Sequence, residues 1–281
     1  MIDRPKFKEI AYEMGHTTIP EKYDICQFKM DGIWGCLTIK DGQVTIYSRT
    51  NTIKYEEPFP DPNVDIVLLG EYMKGSHWGH KMKIDGRFYA FDCVELHGFD
   101  VSQTAYKDRF NTCKQELEYI MMHIDWIEPM EVYDVDVWRE LWHHYVDGEG
   151  FEGLVFKDSN STYNEKGAWA RMKNVVEIDY ICIGFRPADK GTKYEGQVGA
   201  VIGTLIDKDV LVTCSGLSED MRTAFTKYPE RYIGQVFKAK GNNWYPTGAL
   251  RHPMFRHWRD DKYPEECTYE QIPESIRDAY R

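Results

Sequence analysis

The 281-residue sequence predicts an α+β protein of two domains, a larger one of mostly antiparallel sheets over residues 1–182 and a small β-barrel over 183–281. Three observations predict it. Short runs rich in β-branched and aromatic residues are interrupted by two helical stretches without a regular β-α-β rhythm, which argues for antiparallel sheets. Segments 33–40 and 43–49 alternate apolar and polar residues around Asp41-Gly42, a two-residue hairpin signal. After Asp179 the texture changes to several short strands around one helix in roughly 85 residues, the make-up of a small OB-type barrel.

Along the first domain, the apolar run 23–28 leads into Lys29-Met30-Asp31-Gly32 and then into the hairpin. Further strand-like runs are 65–73, 87–94, 153–157 and 169–173, and helical periodicity spans 101–122 and 134–146. In the second domain strands 178–185, 197–205, 209–214 and 233–239 surround a helix over 219–227, with Ser218 as its N-cap. A flexible boundary is expected near 180–186, and 269–281 reads as one terminal amphipathic turn or helix.

Composition narrows the function classes. A content of 42% hydrophobic and 14% aromatic residues belongs to a folded chain. No stretch of 18 apolar residues and no apolar segment behind a basic amino terminus is present, which argues against membrane insertion or secretion and leaves the cytoplasm as default. Seven scattered cysteines without a C-x-x-C support neither a disulfide framework nor a zinc ribbon. The net charge of −11 counts against a nucleic-acid partner, but its distribution softens that objection: residues 1–180 carry −12, whereas 181–263 carry +4. His77, Trp78 and His80 in the stretch 76–83 favour loop packing over metal binding.

The chemistry starts at Lys29. A lysine amine attacks a nucleotide phosphorus only when unprotonated and only beside groups that neutralise phosphate, so K-x-D-G behind an apolar run reads as a covalent nucleotidyl-transfer site. Alone, four such letters fit a surface turn. Five further blocks follow in order: Ser48-Arg49; Leu69-Gly70-Glu71-Tyr72; Phe88-Tyr89-Ala90-Phe91-Asp92; Glu149 through Lys157, containing Glu152; and Trp169-Ala170-Arg171-Met172-Lys173. A final segment ends in Arg259-Asp260-Asp261-Lys262. Each has an ordinary reading by itself: Arg49 as a solvated strand residue, Phe91 as core, Arg171 and Lys173 as an exposed strand face.

Together these blocks resemble the ATP-dependent DNA ligases of the covalent nucleotidyltransferase superfamily, nearest to the compact ligases of bacteriophages and other viruses. The resemblance implies an adenylation domain followed by an OB-fold domain, with ATP and Mg2+ as cofactors. Nicked double-stranded DNA is the implied partner of a monomer that needs no membrane. It further implies that Lys29 forms a phosphoramidate with AMP, that Gln27 reads the adenine amino group, that Arg49 touches the bound nucleotide or the nick phosphate, and that Glu71 contacts ribose or orients a metal. Phe91 would stack on the purine and Glu152 would bind the divalent cation, Glu71 helping to orient it. Arg171 and Lys173 would reach the α-phosphate, and Arg259 and Lys262 would hold the departing pyrophosphate. Three positions depart from the family pattern: Trp34 stands where an arginine is usual, Gln27 where a glutamate is common, and Arg171 where lysine is usual. An RNA ligase or RNA-capping guanylyltransferase using the same lysine, or a non-catalytic OB-fold nucleic-acid binder, are the competing readings.

Overall fold

The structure, a computed structural model, describes all residues except 1, 3, 4, 14, 15, 76–78, 81, 246, 248, 275, 276 and 278–281. His77 and Trp78 thus lie outside the described residues, as does most of the segment past 274. The chain forms two units, Met1–Lys173 and Asn174–Arg281.

The first unit begins with strands β1 (Phe7–Ile10), β2 (Ile25–Lys29), β3 (Ile33–Lys40), β4 (Gln43–Ser48), β5 (Ile53–Pro58) and β6 (Ile66–Tyr72). It continues with β7 (Phe88–Leu96), β8 (Phe99–Asp100), helix α1 (Tyr106–Met121), β9 (Ile127–Pro129) and β10 (Tyr133–Asp134). Helix α2 (Trp138–Leu141) runs into a π-helical stretch Trp142–Glu149, followed by β11 (Gly153–Lys157) and β12 (Trp169–Lys173). One sheet has the order β1-β12-β11-β2-β10 and the other β5-β4-β3-β6-β7-β8, with β9 beside β7. Their pairings are antiparallel apart from β1 with β12 and β7 with β9, so the mixed, mainly antiparallel architecture expected from the sequence is present. The Asp41-Gly42 turn joins β3 to β4 with both residues at positive φ, 50° and 72°, as a tight hairpin requires.

Side-chain alternation explains why the first sheet has a working face. Cys26, Leu154, Phe156, Ala170 and Met172 project to one side and pack under Trp138, Leu141, Trp142 and Val146. Their neighbours Gln27, Lys29, Val155, Lys157 and Trp169 must then project to the other side, where they line a pocket. The second sheet builds its core from Leu37, Ile46, Leu68 and Phe88 against Cys113, Leu117 and Ile120 of α1. The helix expected over 134–146 is realised differently, as a 3-10 turn Val135–Val137, α2 and the π stretch, which Gly150 at φ 83° ends. A 3.6-residue apolar rhythm does not separate these helix types over so few turns. Strands β1, β5 and β8 to β10 lie outside the expected set because they are half-exposed or only two to four residues long, too little for a period to register.

The second unit contains β13 (Val176–Pro187), β14 (Val198–Thr204), β15 (Val212–Cys214), α3 (Glu219–Lys227), β16 (Val236–Gly241) and β17 (Met254–Trp258). Its sheet order is β15-β14-β13-β16-β17 with antiparallel neighbours. The two edges meet: the Ser215 amide donates to the Pro253 carbonyl at 3.1 Å, and the Phe255 amide to the Ser215 carbonyl at 2.8 Å. These bonds form a parallel bridge next to β15 and β17, so the strip curls onto itself. Ser218 caps α3 as its sequence position suggests, its hydroxyl accepting from the Met221 amide at 3.2 Å. The stretch 180–186, expected as a flexible boundary, is the middle of β13, whose Ile178, Tyr180 and Cys182 continue into the core of this unit. The change of unit falls nine residues before the expected 182–183, because that apolar alternation belongs to the following sheet.

No helix among the described residues is long and apolar enough to cross a membrane, and all seven cysteines are unpaired.

Candidate active site

Strand register brings three chain-distant groups together. Gly153 lies opposite Lys29 on β2 and opposite Lys173 on β12, so Glu152, one residue earlier, falls between the two lysines. Lys29 Nζ donates to Glu152 Oε2 at 2.6 Å, and Lys173 Nζ lies 2.9 Å from Oε1. The carboxylate is only 6% exposed. Burial pushes its pKa up, but Lys29 and Lys173 together outweigh that and leave it lowered, so Glu152 is anionic at neutral pH. Gly153 makes the arrangement possible, since a Cβ there would sit 2.0 Å from the Met172 carbonyl. Gly32 acts similarly at the end of the K-x-D-G turn. A Cβ on it would meet the Tyr72 carbonyl at 2.7 Å and Glu71 Cγ at 2.9 Å, so glycine lets the lysine's turn close against β6.

Beside Lys29 opens a pocket whose walls come from both sheets, Gln27, Val155, Lys157 and Trp169 from one and Trp34, Glu71 and Phe91 from the other. Gln27 is 1% exposed. Its Nε2 donates to the Met130 carbonyl at 3.4 Å, which fixes the amide orientation, and its Oε1 is buried without a hydrogen-bond partner. A buried acceptor left open in a pocket wall is costly unless a ligand donates to it.

Residues 63–175 match the family model described as the ATP dependent DNA ligase domain. This segment is thus similar to an ATP-dependent DNA ligase domain. The chain is also 25% identical to the bifunctional non-homologous end joining protein LigD of Bacillus subtilis, over 66% of this chain and 32% of that protein. Among solved structures, "Pmar-Lig_Pre." superposes with a TM-score of 0.65 at 21% identity, covering 84% of this chain and 63% of the other. A structure described as "DNA binding with a minimal scaffold: Structure-function analysis of Lig E DNA ligases" gives 0.65 at 18% identity, covering 92% and 100%. The likeness to both structures is one of fold. The chain spans about a third of the curated relative and under two thirds of the first structure.

The structure gathers most, not all, of the residues expected from sequence. Lys29, Glu152 and Lys173 are in contact, and Gln27, Glu71 and Phe91 share the pocket with Lys29. Arg171 shares the strand face of Lys173, but its Nε is bound to Glu9 of β1 at 2.7 Å, so its charge is engaged away from Glu152. Arg49 is exposed just past β4 and is not among the pocket walls. Trp34, in the place of an arginine, is 8% exposed and packs with Val67, Leu69 and Val94. Arg259 and Lys262 lie in the second unit, where both contact Asp179. Among the described residues no three His, Cys, Asp or Glu side chains converge on a metal site. Anionic Glu152, in contact with Lys29 whose pocket Glu71 also lines, nevertheless fits Mg2+, which takes one or two carboxylates and completes its shell with substrate phosphates and water.

Sequence reading missed Lys157. It ends β11 on the same face as Val155, so a count of two from Val155 locates it. Its amine end is fully buried, donates to the Phe91 carbonyl at 2.8 Å, and stands 3.8 Å from the centre of the Trp169 ring and 4.1 Å from that of Tyr106. Burial pushes its pKa well down, Asp92 opposing and Arg109 adding to the effect. A lysine depressed in the fold lacks a proton that the unfolded chain binds, so stability rises with pH from the lowered value towards the ordinary ~10.4. Lys157→Met is therefore expected to stabilise the protein by about 1–2 kcal/mol at pH 7. The Phe91 carbonyl would keep the Tyr106 hydroxyl as donor. Urea unfolding at pH 7 and pH 9 checks this, because the advantage of the variant must shrink at the higher pH.

Proposed function

We propose that the protein is an ATP-dependent DNA ligase that seals a 5′-phosphate to a 3′-hydroxyl at nicks in duplex DNA through lysyl-AMP and DNA-adenylate intermediates. The observation that carries this reading is Lys29 at the rim of a pocket with an open buried acceptor, in contact with a carboxylate that a second lysine also holds. Adenine fits that pocket: its amino group donates to Gln27 Oε1, while Phe91 and Val155 flank its faces. Guanine places a carbonyl where the donor is needed, so adenine is the preferred base.

In the first step Lys29 Nζ, once deprotonated, turns from Glu152 to the α-phosphorus. The N–P bond forms as the bond to pyrophosphate breaks. Lys173 is positioned to neutralise the α-phosphate, the main work a protein does in such transfers. Mg2+ held by Glu152, with Glu71 near, would add charge neutralisation at the phosphates. AMP then passes from Lys29 to the 5′-phosphate of the nick, and the 3′-hydroxyl displaces it. In the second unit, the five-strand sheet with its parallel closure has the make-up of an OB barrel. Arg259 and Lys262 there hold the β- and γ-phosphates as pyrophosphate leaves.

Intact-mass measurement after mixing with ATP and magnesium tests the reading. A gain of one AMP, reversed by pyrophosphate and absent with GTP, is expected, and the charged protein should seal nicked DNA. A GMP adduct would point to capping chemistry, and sealing confined to nicked RNA to an RNA ligase. Gln27→Leu should raise the KM for ATP about tenfold or more, one lost hydrogen bond to a buried acceptor site being worth at least that factor.

A further inference from the structure

We propose that Asp179 is a positioning residue: its buried carboxylate, pinned from behind by Gln271, holds Arg259 and Lys262 together as a preformed clamp for the terminal phosphates of ATP and for pyrophosphate. The inference rests on the ligase reading and extends it to two residues outside every sequence block that suggested that reading.

Asp179 lies on β13, and its side chain is 6% exposed. Its Oδ2 is 2.9 Å from Arg259 Nη1 and 3.0 Å from Lys262 Nζ. Gln271 satisfies both backbone groups of Asp179, its Oε1 accepting from the amide at 3.2 Å and its Nε2 donating to the carbonyl at 3.1 Å. The segment that carries Gln271 is itself tied down. The Cys267 carbonyl accepts from the Ile206 amide at 2.9 Å, the Tyr269 amide donates to Asp207 at 2.8 Å, and Cys267 and Ile272 are fully buried.

Two long cationic side chains three residues apart repel each other and spread into solvent unless an anion gathers them. Asp179 is that anion, and its fixed backbone makes the gathering point rigid. Asp261 also binds Arg259, at 2.8 and 2.7 Å, but it is 68% exposed and can yield to an arriving phosphate while Asp179 stays. Without Asp179, a polyphosphate has to order both cations itself, which weakens binding by about tenfold. The opposing effect, repulsion between the carboxylate and the phosphates, is damped because two cations stand between them.

The test uses the full chain with inorganic pyrophosphate as probe, measured by calorimetry, alongside the KM for ATP in self-adenylylation. Asp179→Ala should weaken pyrophosphate binding and raise that KM about tenfold, with sealing of a pre-adenylylated nick changed less than about twofold. Asp179→Asn, which keeps an acceptor, should recover part of the loss, and Gln271→Ala should give a smaller loss with the carboxylate intact. Adding Asp179→Ala to Lys262→Ala should cost much less than their separate effects combined, a non-additivity that a general loss of structure does not produce. Unchanged or tighter pyrophosphate binding in folded Asp179→Asn, or equal loss at both steps, overturns the proposal. If the unsubstituted chain forms no AMP adduct yet binds pyrophosphate through Asp179, the ligase reading falls and the clamp stands.

Discussion

Lys29→Ala is expected to abolish adduct formation with ATP, a loss of at least about a thousandfold, because no other group can stand in for an attacking nucleophile. The fold should survive. Glu152 keeps Lys173 at 2.9 Å, so the buried carboxylate retains a counter-charge, and the alanine leaves only the rim of the pocket altered. A second measurement makes the role specific: sealing of a nick that already carries AMP on its 5′-phosphate does not need a charged enzyme. That activity should persist in Lys29→Ala at a substantial fraction of the original while self-adenylylation is gone. Retained label on denatured variant protein would remove Lys29 as the nucleophile. Loss of both activities with an unchanged melting temperature would mean that the lysine acts on phosphate at every step and not as the carrier alone.

Much of this site was legible in the sequence, and the limits of that legibility are physical. Lys29 is over a hundred residues from Glu152 and Lys173, yet each of the three stands at a strand end, where glycine or a turn marks the position. Period-two alternation then tells which neighbours share its face, and Gln27 follows directly from Lys29. Arg171 passes the same parity test and still binds Glu9, because the four-residue strand β1 that supplies Glu9 left no period to read. Charge partners across a sheet depend on register, which the sequence of one strand does not contain. Asp179 escaped for a related reason. Its strand was expected with the barrel, but nothing in the sequence of that strand tells that its carboxylate meets Arg259 eighty residues later. Lys157 was obscured by its type: a lysine closing an apolar run reads as solvated, and its burial among Phe91, Tyr106 and Trp169 is a tertiary fact.

Glu152→Gln should be costly twice over, in stability and in chemistry. The carboxylate lies between two lysines whose side chains are 12% and 20% exposed, and an amide cannot cancel either charge. Breaking a largely buried pair by removing one partner costs about 3 kcal/mol, and here the two cations are also left facing one another. Self-adenylylation should fall at least about a hundredfold, since the group proposed to hold Mg2+ is lost while Lys29 and Lys173 repel at the reacting centre. The pH dependence has a definite sign. Glu152 is depressed in the fold, so its contribution to stability is present above the unfolded carboxylate value of ~4.3 and is lost as pH falls through its lowered folded value. The difference in unfolding free energy between the original and Glu152→Gln should therefore be constant from about pH 8 down to about pH 5 and shrink below that. Guanidinium titrations at pH 7, 5 and 3 measure it directly. A gap that widened on acidification would mean that the folded protein holds Glu152 protonated, and the pairing with Lys29 and Lys173 could not then be what keeps that carboxylate charged.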